Sequence, residues 1–121
     1  MIFMKHNFSG LKIWQLARQL VKQVYLITQR YPKEELFGLS SQMRRAAVSI
    51  PSNIAEGCGR GTDRQLAHFI DIAIGSSCEL ETQIYLSLDL GYITDEQYQR
   101  LNEELIIQRK MMLSFKKMLN K

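Results

Sequence analysis

Apolar residues recur every three or four positions along most of this chain, a spacing that suits helices and leaves no strand-like alternation. From Ile13, the positions Ile13, Leu16, Leu20, Val24, Ile27 and Tyr31 fall on one side of a helix. Trp14, Ala17, Val21 and Thr28 widen that side, and Lys12, Gln15, Arg18, Gln19, Lys22, Gln29 and Arg30 occupy the opposite arc. With Ser9 as N-cap and Pro32 fixing the stop near Arg30, the spacing predicts a first helix over residues 10–30.

The second segment contains "MRRAAVSIPSNIAEGCGRG" at positions 43–61. Its stripe of Met43, Ala46, Ala47, Ile50 and Ile54 passes through Pro51 without losing phase. A proline inside a helix costs about 3 kcal/mol. A fresh helix starting there, however, would have Ile50 as its N-cap, a residue with no side-chain acceptor. The sequence therefore predicts one kinked helix over 40–57, opened by Ser40. Two capping boxes follow, "TDRQ" at Thr62 and "TDEQ" at Thr94.

The third helix, 63–90, carries Leu66, Phe69, Ile70, Ala73, Ser77, Leu80, Ile84 and Leu88 on its main stripe. Ile72, Leu86 and Leu90 lie off it, and Gly91 suits a left-handed terminus. The fourth, 95–119, places Tyr98, Leu101, Leu105, Gln108, Met112, Phe115 and Leu119 at heptad spacing. Ile107, Met111 and Met118 form a second stripe, and Lys116, Lys117 and Lys121 suit the negative end of the dipole. The expected fold is all-α: an up-down-up-down four-helix bundle forming a single domain over 1–121. The surplus apolar stripes predict self-association.

No apolar run approaches the roughly 20 residues of a membrane span. The opening "MIFMKHNFSG" lacks signal-peptide features, so the expected location is the cytoplasm. Cys58, His68 and Cys78 are spaced ten residues apart, which puts them on different helix faces; neither a metal site nor a cofactor is expected.

The formal net charge of +4 is unevenly spread. Residues 1–33 hold six Lys or Arg and no acid, residues 63–104 hold nine acids and two bases, and residues 105–121 hold five bases and no acid. Such asymmetry points either to an acidic partner, RNA and DNA included, or to complementarity between neighbouring helices and chains.

"GCGRGT" at 57–62 lacks the Lys-Ser/Thr and the preceding strand of a phosphate loop. It reads as a glycine helix end followed by a turn, although Arg60 and Arg64 beside a helix N-terminus are candidates to hold a nucleic-acid phosphate. Arg44 and Arg45 lie among small residues, with Glu56, Glu79 and Glu81 as their candidate partners in a structural ion-pair network. Paired carboxylates can serve acid–base catalysis, yet arginines here outnumber any available nucleophile or base. Arg64 and His68 only loosely approximate the arginine–histidine pair of RNA-cleaving helical bundles, and no enzyme is expected.

"LKIWQLARQLV", "LSSQMRRAAVSIPSNIAEGCGRG" and "FIDIAIGSSCELETQIYLSLDLGYI" together resemble the bacterial four-helix-bundle proteins named for intervening sequences in 23S ribosomal RNA genes. The resemblance spans nearly the whole chain and is weakest in the last helix. It implies a ring-like homo-oligomer, a pentamer. It also implies kinship with the accessory protein of diversity-generating retroelements, a basic ring that binds nucleic acid and a reverse transcriptase. It brings no catalytic residues. The expected function is therefore non-enzymatic binding of RNA or DNA through basic faces, with Lys12, Arg18 and Lys22 repeated around a symmetry axis. The alternative is a protein-interaction scaffold for a nucleic-acid enzyme such as a reverse transcriptase.

Overall fold

Helix termini are where the chain commits to its turns, and most of them are closed by side chains or glycines placed for the purpose. The computed structural model describes residues 6–120. Among these, four long helices form: α1 (Lys12–Thr28), α2 (Leu39–Cys58), α3 (Asp63–Asp89) and α4 (Asp95–Leu119). Thr94 and Gln97 close a full capping box; at Thr62 only half of the expected box forms, the hydroxyl accepting the Gln65 N–H at 3.1 Å and donating to the Gln65 side-chain oxygen at 2.9 Å. Gly91 adopts φ 75°, and the N–H groups of Gly91 and Tyr92 donate to Leu88 and Ser87 (3.0 and 2.9 Å), a Schellman ending for α3.

Two expected caps are corrected. Ser9 lies in a 3₁₀ turn over Phe8–Gly10, and α1 starts at Lys12 with Leu11 as an N-cap that makes no side-chain bond. Ser40 is buried inside α2, whose first residue, Leu39, instead donates its N–H to the Glu35 carboxylate at 3.1 Å. Glu35 comes from the 3₁₀ turn Lys33–Glu35, a local detour that periodicity does not reveal.

The helices pack in the cyclic order α1–α2–α3–α4 and back to α1, giving the four-helix bundle. The α2–α3 contact is the most extensive and α1–α4 the least. Pro51 sits within a continuous α2, and Met43, Ala46, Ala47, Ile50 and Ile54 are all buried, as unbroken phase requires. Tight α2–α3 packing follows from small residues: buried Gly57 lies against Leu66 and Phe69, and the Ser49 and Ser76 hydroxyls meet at 2.8 Å.

Helix α1 buries Ile13, Ala17, Leu20, Val24 and Thr28, leaving Leu16 and Ile27 half-covered. Its inner line is thus rotated toward α2 relative to the expected stripe. On the other side, a groove of about 370 Å³ opens between α1 and α4, lined by residues that include Gln23, Leu26, Arg30 and Gln97. In α4 the heptad residues Leu101, Leu105, Gln108, Met112 and Leu119 are buried. Gln108 donates to the Ile13 carbonyl at 2.9 Å, which fixes α4 against α1. Lys116 and Lys117 occupy the last turn of α4, whereas Lys121 lies outside the described residues.

Charge is matched across α3 and α4. Arg109 of α4 pairs with Glu81 of α3 and also donates to the Ser77 hydroxyl at 2.9 Å, and Lys116 reaches Asp71 at 2.6 Å. Arg109 and Glu81 are only 19% and 22% exposed, so truncating one strands the other. Arg109→Ala is expected to lower stability by about 1–3 kcal/mol, read as a shift in the urea midpoint. Arg60→Ala, which opens a half-exposed pair with Glu56 and a stack on the Phe69 ring, is expected to cost about 1 kcal/mol.

Candidate nucleic-acid interface

Phosphate recognition requires cations that are both exposed and not already neutralised by carboxylates. Helix α1 contains no acid, and α2 has none before Glu56. Along α1, Trp14, Arg18, Lys22 and Tyr25 step by four, four and three, so they form one line on the helix surface. The Arg18 guanidinium lies over the Trp14 ring at 5.6 Å from its centroid. From α2, Arg44 crosses to α1, stacks over Tyr25 at 4.8 Å and donates its Nε–H to the Thr28 hydroxyl at 2.9 Å.

Aromatic faces and a neutral hydroxyl hold these arginines in place, and neither neutralises them. Thr28 is itself fixed, donating to the Val24 carbonyl at 2.7 Å. Arg18, Lys22 and Arg45 are exposed and form no ion pair among the described residues. The α1–α2 face therefore presents four cations, Arg18, Lys22, Arg44 and Arg45, interleaved with two aromatic rings.

The other expected contact residues lie elsewhere. Lys12 is exposed, but six residues before Arg18 it is turned roughly 120° away around α1. Arg60 is engaged by Glu56 at 2.6 Å and by the Phe69 ring at 5.1 Å, so its charge is largely offset. Arg64 is exposed in the first turn of α3.

The expected ion-pair network is not the one this chain forms. Glu56 takes Arg60, its neighbour one helical turn on, and Glu81 takes Arg109 from α4. Arg44 turns to α1 instead, while Arg45 and Glu79 are exposed and without an ion pair among the described residues. Sequence reasoning missed Trp14, Tyr25 and Arg109. The Trp14–Arg18 contact has a legible signal, the i,i+4 spacing; the other two depend on which helices become neighbours.

His68 is exposed on α3, its ring edge-on to Phe69 at 5.5 Å, whereas Cys58 is buried and Cys78 exposed. Among the described residues no three His, Cys, Asp or Glu side chains gather as a metal site would require. Among the described residues no helix is long and apolar enough to cross a membrane.

Comparison with known proteins places this fold in context. Residues 9–114 match the family described as 23S rRNA-intervening sequence protein. A crystal structure of a protein with unknown function from the S23 ribosomal protein family of Bacteroides thetaiotaomicron VPI-5482 superposes with a TM-score of 0.78 at 25% identity. The match covers 87% of this chain and 95% of that one. No curated protein matches.

Proposed function

The chain belongs to the 23S rRNA-intervening sequence protein family, and from that premise we propose that it is a non-catalytic, cytoplasmic protein that binds RNA or DNA through the α1–α2 face. One observation carries the reading. Arg109 and Lys116 of α4 find acids on α3, whereas the cations of α1 and their α2 neighbours Arg44 and Arg45 find none among the described residues. Complementarity between helices thus takes up part of the α4 charge and none of the α1–α2 charge, which stays available to an external polyanion.

Binding through phosphates is expected to be largely independent of sequence. A homo-oligomer, with a pentameric ring as the expected form, would repeat the face and raise avidity without new contacts. Exposed Ile72 and Leu86 on α3, Leu90 just past its end, and Ile107 and Met118 on α4 supply apolar surface for such assembly. Light scattering gives the subunit count.

Fluorescence anisotropy with labelled RNA and DNA, titrated with salt, tests the binding. With two to four cations engaged per site, the log–log slope of affinity against salt should be about −2 to −4. Affinity that ignores salt, or no binding at low salt, would overturn the proposal.

A further inference from the structure

At the end of the α1–α2 face a groove of about 450 Å³ is lined by Tyr25, Leu36, Phe37, Arg44, Arg45 and Val48, together with Ser41. Phe37 is 93% exposed, an extreme value for a phenylalanine in an ordered turn. Its turn is pinned on both sides. One Glu35 carboxylate oxygen accepts the Leu39 N–H at 3.1 Å, and the other accepts the Tyr92 hydroxyl at 2.8 Å. Gly38 leaves room for that carboxylate, since a Cβ there would stand 2.8 Å from Glu35 Oε1. The backbone that carries the ring is therefore held in place, at the edge of a groove it shares with two arginines.

Arg44 is equally fixed, by Tyr25 beneath it and Thr28 at its Nε, and no other bond among the described residues occupies its two terminal nitrogens. Arg45 on the next position is exposed and unpaired among the same residues. Among the described residues no acid is in the groove's lining; Glu34 and Glu35, the latter bonded to neutral donors that leave its charge, stand in the adjoining turn.

We infer that this groove takes an unpaired nucleobase of single-stranded RNA or DNA, stacked on Phe37, with the flanking phosphates on Arg44 and Arg45. Charge complementarity selects a polyanion, and a displayed ring beside arginines adds the flat apolar surface that an unstacked base provides. In a duplex the bases stack on one another and leave no free face for Phe37. The inference rests on the nucleic-acid reading above and adds strand preference to it.

Anisotropy with oligouridylate, oligothymidylate and a duplex of equal length tests it on the full chain. Phe37→Ala should weaken both single strands roughly 5- to 150-fold, while duplex affinity stays within about twofold. Phe37→Tyr, which keeps a stacking ring, should restore single-strand binding. The side chain is almost wholly exposed, so the melting temperature should not move. Unchanged single-strand affinity in Phe37→Ala, alongside loss in an Arg18→Glu/Lys22→Glu protein, would overturn the stacking site and leave the function standing. Absence of binding by the wild type would overturn both. A changed sedimentation coefficient in Phe37→Ala, with single-strand affinity intact, would make the groove a contact between copies and overturn the inference.

Discussion

Reversing Arg18 and Lys22 together to glutamate should reduce affinity for nucleic acid on the order of 100-fold at low salt and flatten the salt slope by about two. Each lost phosphate contact removes close to one released counterion, and each glutamate adds repulsion where attraction was. Both side chains are exposed on a helix whose buried line lies on the opposite side, so the fold should persist. The stability lost with the Arg18–Trp14 stack is about 0.5–1 kcal/mol. Because the double reversal also takes the formal net charge from +4 to zero, a matched control is needed. Lys110→Glu/Lys117→Glu makes the same change on exposed positions of α4. If that control loses as much affinity, overall charge governs binding and the α1–α2 face has no special part. Loss of the oligomer in Arg18→Glu/Lys22→Glu would place those residues between copies.

Two helical glycines should respond to substitution with opposite signs. At Gly57 an added Cβ would lie 2.8 Å from Leu66 Cδ1 and from Phe69 Cβ, and 3.3 Å from Leu66 Cα. The leucine tip can swing aside, but Phe69 Cβ and the Leu66 backbone move only if α3 moves. Gly57→Val is therefore expected to destabilise by about 3 kcal/mol, near the upper end for overpacking. In a domain of this size that lowers the melting temperature by roughly 10 °C. Gly75 lies exposed on α3 with nothing within 4 Å of its added Cβ. Gly75→Ala should stabilise by about 1 kcal/mol, because alanine loses less backbone freedom in a helix. Thermal melts of the two variants beside the wild type decide the matter. A Gly57→Val protein melting at the wild-type temperature would show that α2 and α3 do not approach so closely.

Sequence patterning anticipated the helices because their signals are local. Thr94 and Gly91 act within four residues of themselves and take the expected roles, whereas Thr62 caps α3 but gives its hydroxyl proton to the Gln65 side chain in place of the expected reciprocal box. The phase of Met43, Ala46, Ala47, Ile50 and Ile54 carried α2 through Pro51. Where local signals were ambiguous the reading slipped, as with Ser9 and Ser40, each a good capping residue near but not at a helix start. The cap of α2 is Glu35, four residues before Leu39, and only the turn over residues 36–38, closed by the Gly38 N–H on the Glu35 carbonyl at 3.0 Å, brings its carboxylate back to the helix end.

Charge was legible as a distribution but not as a set of partners. That α1 is basic, and that α3 and the start of α4 are acidic, follows from composition alone. Which cations are neutralised does not, because a guanidinium pairs with whatever the fold brings within about 4 Å. Arg109 meets Glu81 across 28 residues and Arg44 meets Tyr25 across 19, distances along the chain at which no periodicity operates. Sequence by itself determined four amphipathic helices, the ends marked by Thr62, Gly91 and Thr94, and the sign of each surface. Tertiary structure decided that Arg44 lies on an aromatic ring rather than a carboxylate, and hence that the α1–α2 face keeps its charge. The physical reason is that burial is a property of helix faces, written in every turn, whereas ion pairing is a property of neighbours, which exist only once the bundle has closed.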